Sequence, residues 1–598
     1  MKNFKNILFL LSFTERRNLI WLLIMMLMMA FMDTLGVASV FPFIAVLTNP
    51  MIIETNLFLN KIFQVSEIFG VENNQQFFLL LGIFVFLIIV ISLVVKVSTS
   101  YLQIRFTSML EYSIGKRLME KYLNQPYSWF LSHNSNDLIK NILSEVHQII
   151  EVAIYPMAEL IAKGMVAIAL LGLLFLTDIK LALLISFSIG GIYGSIYYFL
   201  RNFITKIGEE RLKNNLLRYR VVSQAFGSIK DVKVRGSEEV HTKFFSNSSY
   251  TYAKSISLAH MTSQLPRYIL EGIAFAGIML LLLYMISQKG SMNNALPIIS
   301  LYIFAGYRLM PSMQQVYSSF THLRYIGSSI DNLVNEIKNL KAYNLSQDKS
   351  ILQLNKKITL NNIYYNYPDT PHSTLEDINI SISAKSTIGF VGPSGSGKST
   401  TIDIILGLLE PQKGTLEVDG KVITGDNLRS WQRTIGYVPQ QIYLIDDTIA
   451  ANIAFGLDEK EIKQDWVEKA CRNANLEEFI NELPKKYNTI IGEGGIRLSG
   501  GQRQRIGIAR ALYHNPRVLV LDEATSALDN ETEQAVMNAV NKLGKDVTII
   551  LIAHRLNTVE NCDIIFKLEK GRVVFQGSFK ELLSHDKKIK LNKLNQLI

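Results

Sequence analysis

The chain has 598 residues, 48% of them hydrophobic, a formal charge of +10 and a mean hydropathy of +0.19. That length exceeds one compact core, and that hydropathy excludes an ordinary soluble protein. The excess of Lys and Arg lies beside apolar runs rather than in a basic stripe between aromatics, which excludes a nucleic-acid-binding surface.

Taken in chain order, the first half carries apolar stretches long enough to cross a bilayer, at 19–47, 77–95, 157–176, 181–200 and 268–288. A sixth, at 295–310, is weaker, because it ends in Arg308 and runs into SMQQVYSSF. Lys2, Lys5, Arg16 and Arg17 before the first run imitate a signal peptide, but the run continues past Asp33 to Leu47, as suits a retained helix. Six Lys/Arg fall between Lys96 and Glu151 and twelve between Arg201 and Arg267, whereas the intervening loops carry one each. The basic loops are therefore expected on the cytoplasmic side, with both termini inside. They are too long for simple turns and show helical periodicity, so the spanning helices are expected to extend past the membrane and turn near the loop middles. The first outer segment, MIIETNLFLNKIFQVSEIFG, predicts a short helix on the membrane surface.

From about Ile337 the chain turns polar, and beyond it β-rich runs alternate with helical ones, the pattern of an α/β nucleotide-binding domain. The expected division is a six-helix, all-α membrane domain over 1–336, a linker over 337–356 and the α/β domain over 357–598. Cys471 and Cys562 are the only cysteines, so neither a disulfide framework nor a Cys-ligated metal is implied.

Gly392-Pro-Ser394-Gly395-Ser-Gly397-Lys398-Ser399, followed by Thr400, stands between the strand-like TIGFV and a helical run. This is a complete phosphate loop: backbone N–H groups close around phosphates, Lys398 neutralises their charge and the Ser399 hydroxyl can ligate Mg²⁺. The apolar RVLVL ends in Asp522 and Glu523, two carboxylates suited to holding Mg²⁺ and to acting as general base on a water, respectively. Leu498-Ser499-Gly500-Gly501-Gln502 opens another helix and offers a second anion site.

That pentad, about twenty residues before the two carboxylates, resembles the signature of the ATP-binding cassette family, and the resemblance covers the whole chain. It implies a half-transporter that hydrolyses ATP with Mg²⁺, the signature of one cassette covering ATP on the phosphate loop of another. It also implies roles for smaller motifs. Tyr367 resembles the aromatic that stacks on adenine, Gln440 the glutamine that reaches Mg²⁺ and the attacking water, His554 the switch histidine at the γ-phosphate, and Asp529 the loop that meets its twin across a dimer. The Gly492–Arg497 segment departs slightly from the acidic-Arg sequence of many exporters. With Glu523 and His554 both present, the expected partner is an identical chain. Tyr127–Ser132 and Phe226–Asp231 are the expected helices that transmit cassette closure.

Charges at the spans, among them Lys96, Arg267, Glu271 and Arg308, are costly and usually functional, although those near helix ends can snorkel to lipid headgroups. Pro266-Arg-Tyr-Ile-Leu-Glu271 and Tyr307-Arg-Leu-Met-Pro311 are similar to sequences in lipid-linked oligosaccharide flippases and related glycolipid exporters. That similarity makes Lys96, Arg267 and Arg308 candidates for an anionic headgroup. The rival expectation is export of hydrophobic drugs, peptides or other lipids.

Overall fold

In the computed structural model the described residues are 2–48, 50–51, 53, 57–68, 71, 73–177, 179–287, 292–340, 350–368, 373–523, 546–553 and 556–585. They form two compact units: Met1–Leu123 with His133–Lys341, and Asn124–Ser132 with Ala342–Ile598.

The first unit is helical. A short helix α1 (Lys2–Leu10) precedes α2 (Phe13–Thr48), and α3 (Leu57–Glu67) lies where the outer surface helix was expected. Leu59 of α3 packs with Val46, Val71, Phe77 and Leu81, which fixes that helix to its neighbours. The next helix, α4 (Asn74–Leu123), has 50 residues, about 75 Å at 1.5 Å per residue, against roughly 30 Å of hydrocarbon. Its buried stripe runs at helical spacing through Phe77, Leu81 and Val85 and, further along, Leu110, Ile114, Leu118 and Tyr122. The opposite face changes character along the same helix. It is apolar at Leu79, Ile83, Phe86 and Val94, which are all more than half exposed, and charged at Lys116 and Glu120. The helix therefore leaves the bilayer partway along its length.

Residues 135–177 form one helical run interrupted twice. α6 (Ser135–Lys140) passes through π turns at Asn141–Glu145 and Ile150–Ile154, on either side of α7 (Val146–Ile149), into α8 (Tyr155–Thr177). Long helices α9 (Ile179–Gly227) and α11 (Glu238–Ser287) follow, separated by α10 (Ile229–Arg235). Gly236, at φ 60°, closes α10: the N–H of Ser237 reaches Val232 O at 3.0 Å, a left-handed C-cap that a side chain would strain. α12 (Met292–Tyr325) and α13 (Gly327–Asn339) complete the unit. Among the described residues three helical stretches, Phe13–Ile44, Asn74–Leu123 and Ser135–Gly172, are long and apolar enough to cross a membrane. The other three expected spans fall on α9, α11 and α12.

The interior of this unit is unusually polar. Arg211 is wholly buried, with Nη2 donating to Glu145 Oε2 at 2.9 Å and to Ser329 Oγ at 2.5 Å. Asn215 donates to the other Glu145 oxygen at 2.8 Å. Glu336 accepts from Tyr122 at 2.6 Å and from Asn141 at 2.7 Å. The two carboxylates are satisfied in this way, so their burial is tolerated; leaving either without its donors would be costly.

The second unit contains α5 (Tyr127–Leu131) and two sheets. The antiparallel sheet has the order β2-β1-β4-β5, with β1 Lys357–Tyr365, β2 Leu375–Ser383, β4 Lys413–Val418 and β5 Lys421–Val422. The second, β10-β9-β3-β8-β7-β6, joins β3 Thr387–Val391, β6 Ile435–Val438, β7 Val518–Asp522, β8 Thr548–Ile552 and β9 Ile564–Glu569 in parallel, with β10 Arg572–Gly577 antiparallel at one edge. β3 and β8 are buried throughout, the continuous apolar pattern of central parallel strands. Both cysteines are buried and free.

Candidate functional site

A parallel sheet presents the C-terminal ends of its strands to ligand, and the sequence motifs leave those ends in order. β3 runs into the phosphate loop and then α14 (Lys398–Ile405), β7 ends at Asp522 and Glu523, β6 is followed two residues on by Gln440, and β8 by the segment containing His554. Registers Phe390 with Ile552 and Asp522 with Ile552 set three of these ends level.

Gly392, Gly395 and Gly397 have φ of 148°, 76° and 99°. A Cβ on Gly392 would sit 2.2 Å from Leu568 O, so the loop requires glycine there for both reasons. Lys398 is buried, its Nζ donating to Gly392 O at 2.8 Å and Pro393 O at 3.0 Å. Burial pulls its ammonium below the usual lysine range, against the opposing pull of Glu523 and Asp522. Ser394 and Ser399 are exposed on the loop, and Thr400 is buried, its Oγ1 3.2 Å from the Tyr367 hydroxyl. The Tyr367 ring stands edge-on to Tyr365 at 5.1 Å.

Gln440 and Glu523, 83 residues apart, meet directly: Nε2 donates to Oε2 at 2.8 Å. Glu523 has φ 49° and its N–H is tied to Ile552 O, which holds the side chain at the sheet edge in a conformation uncommon for a non-glycine residue. A hard-oxygen set of one hydroxyl, one carboxylate and one amide oxygen (Ser399, Asp522 and Gln440) fits Mg²⁺ that is held mainly by phosphates.

Ser499 caps α15 (Gly500–Leu512) in a reciprocal box. Its Oγ accepts from Gln502 N at 3.2 Å, and Gln502 Oε1 accepts from Ser499 N at 2.8 Å. The Ser499 hydroxyl hydrogen and the Gly500 and Gly501 amides are left to face an anion. Gln502 thus acts on its own helix. His554 and Asp529 lie outside the described residues.

Several contributors carry no sequence motif. Gln504, two residues past Gln502, is buried and sends Nε2 toward Glu523 O at 3.4 Å. Arg510 ties α15 to Tyr443 O and Asn452 O, both at 2.8 Å. Asp403 on α14 is pushed up to about 6 by burial and then by the charge of Asp522. Tyr127 of α5 has its hydroxyl raised by burial and by Asp403 and Tyr367, so the Asn124–Ser132 segment reaches the surroundings of Tyr367. A buried glutamine in RQRIGIARAL was the one available signal; the others depend on contacts between distant residues.

The three candidate headgroup residues lie on three different helices. Arg267, exposed on α11, donates Nε to Glu271 Oε1 at 2.8 Å, so its charge is matched one turn away. Lys96 is half-buried on α4. Arg308 falls on α12, its side chain outside the described residues.

A helical membrane unit followed by a phosphate-loop domain with its own signature helix defines an ATP-driven membrane transporter. The chain belongs to the ATP-binding cassette transporter family: the family description "ABC transporter" matches residues 375–526 and "ABC transporter transmembrane region" matches 39–312. Among its relatives is the protein named ATP-dependent lipid A-core flippase of Francisella tularensis, 31% identical over 481 residues, 79% of this chain and 78% of that one. The protein of the same name in Cupriavidus pinatubonensis is 29% identical over 507 residues, covering 82% and 83%. A solved bacterial Atm1-family ABC exporter with ATP bound shares the fold, with a TM-score of 0.74, 22% identity and 96% of each chain covered. The chain therefore binds ATP and couples its hydrolysis to transport across a membrane.

Proposed function

We propose that the chain is half of a homodimeric flippase that moves an amphipathic, anionic glycolipid across the cytoplasmic membrane, with a lipid-linked oligosaccharide or a related lipid as cargo. The observation that carries this is the relatives named lipid A-core flippase, which match at about 30% identity over four-fifths of the chain. One phosphate loop and one signature per chain support a partner, because each loop needs a signature from elsewhere. Residues 1–336 act as the membrane domain, 337–356 as linker and 357–598 as cassette, with the cassette and both termini in the cytoplasm.

In this reading Lys398, the Gly392–Gly397 backbone and Thr400 cradle the phosphates, Tyr367 stacks on adenine, and Ser399, Asp522 and Gln440 hold Mg²⁺, which screens phosphate charge. Glu523 takes the proton of the attacking water, oriented by the amide of Gln440. His554 meets the γ-phosphate, and Ser499, Gly500 and Gly501 close on the partner's nucleotide, with Asp529 at the seam. The helices at Tyr127–Ser132 and Phe226–Asp231 carry closure to the spans. Exposed Phe226 and Ile229 give the second of them an apolar surface to bury.

The test is ATPase activity in proteoliposomes supplied with polyprenyl-diphosphate sugars, lipid A-type glycolipids or hydrophobic drugs, with light scattering for subunit number. Stimulation by either glycolipid, reduced in Arg308→Ala or Lys96→Ala, supports the reading. Stimulation by drugs alone, or a monomer active in hydrolysis, overturns it.

A further inference from the structure

The polar interior of the helical unit opens in two clefts of about 390 and 340 Å³. Lys140, Leu212, Leu216 and Asn332 line both, so the two form one recess bounded by α6, α9 and α13. Its donors and acceptors do not balance. Of the carboxylates around it, Glu145 already accepts from Arg211 and Asn215, Glu336 from Tyr122 and Asn141, and Asp137 from Arg220. The remaining one, Glu209, is exposed at the mouth, one turn along α9 from an exposed Lys213.

Donors are in surplus. Lys140 is only 7% exposed, lines both clefts and finds no acceptor among the described residues. Its stem is covered while the ammonium itself opens on the recess, where an anion can reach it. Behind the wall, Arg211 Nε and Nη1 are buried without a hydrogen bond, and its Nη2 already donates to the Ser329 hydroxyl. Ser328 and Ser329 of the first turn of α13 also line the recess; no side chain caps that 13-residue helix, and while the Ser329 and Ile330 amides donate to Ile326 O, those of Gly327 and Ser328 are left. Free amides at a helix start carry partial positive charge and suit an oxyanion.

We propose that this recess binds a phosphate-type oxyanion, held by Lys140 and the first turn of α13. The same chemistry is offered by a free cytosolic phosphate compound and by the phosphate of a lipid headgroup. The site is separate from the phosphate loop, and it does not depend on the cargo proposed above.

The full chain in detergent, with its cassettes saturated by Mg-ADP so that the phosphate loop is filled, is titrated calorimetrically with inorganic phosphate or with dihexanoyl phosphatidic acid. Chloride and dihexanoyl phosphatidylcholine serve as controls. Binding of either phosphate, weakened about tenfold or more in Lys140→Met by loss of a charge-assisted contact, is the expected result. Binding of phosphatidic acid alone identifies a headgroup as the source, and of inorganic phosphate a soluble compound. Lys140→Met is also expected to melt near the parent in anion-free buffer and to lose the rise in melting temperature that added phosphate gives the parent. Lys213→Glu, at the exposed mouth, keeps the test open should Lys140→Met fail to fold, and is expected to weaken binding with unchanged melting. No binding of either phosphate, or binding unchanged in the variants, overturns the proposal.

Discussion

Two cationic sites were read by one rule, positive charge placed for phosphate, and the structure treats them differently. Lys398 is buried and held by two loop carbonyls, on a backbone whose glycines admit no other residue. Arg267 stands exposed on a helix and is matched by Glu271 one turn away. The difference teaches that a charge becomes a binding group when the backbone around it is committed to a single shape. A charge on a regular helix keeps the option of a local partner.

The comparison can be broken most decisively at the cassette. Glu523→Gln is expected to cut ATP turnover by about 10²–10⁴-fold with ATP binding intact, measured by steady-state hydrolysis beside nucleotide binding. Turnover near the parent rate would remove Glu523 as general base. On the helical side the largest effect is expected from Arg211→Met, which leaves Glu145 buried without its cation and should cost about 3–5 kcal/mol in thermal or denaturant unfolding. Adding Glu145→Met should recover most of that loss; a double variant as unstable as the single one would mean that the pair is not the cause.

Asp403 supplies the pH-dependent contrast. Its folded pKa, about 6, lies above the ordinary 3.8, so the fold favours the neutral carboxyl. Below about pH 4 both states are protonated and there is no penalty; the penalty grows as pH rises toward 6 and is complete above it. Asp403→Asn should therefore raise stability at pH 7.5 by on the order of 1 kcal/mol, allowing for partial solvent screening, and by almost nothing at about pH 3. Equal gains at both pH values would deny the carboxyl that role. The smallest effect is expected from Arg267→Ala: as half of an exposed pair it should leave the melting temperature within measurement error of the parent. A larger loss of substrate-stimulated ATPase, with basal activity kept, would restore it as a headgroup contact.

How much could be read from the residues alone follows the same division. RVLVLD declared a buried strand ending in carboxylates, and the glycine pattern after TIGFV declared its loop, because local chemistry and backbone demand coincide there. The helix start at Ser499 was visible, but that Gln502 spends its side chain on a reciprocal cap of its own helix was not. Nothing in NILSE or IEVAI announces a π turn, and both read as ordinary helix. The pairing of Glu145 with Arg211 spans 66 residues and exists only once helices pack. The Tyr127–Asp403 proximity likewise depends on a loop crossing from one half of the sequence to the other.

That crossing has a practical side. Asn124–Ser132 is encoded between two spanning helices, yet it belongs to the compact unit that otherwise begins at Ala342. A cassette expressed alone from the second half of the gene would therefore lack a piece of its own body and expose the surface that the piece covers. Low solubility of such a fragment, relieved when a peptide of residues 124–132 is supplied, would be a property of gene order rather than of the cassette's intrinsic stability.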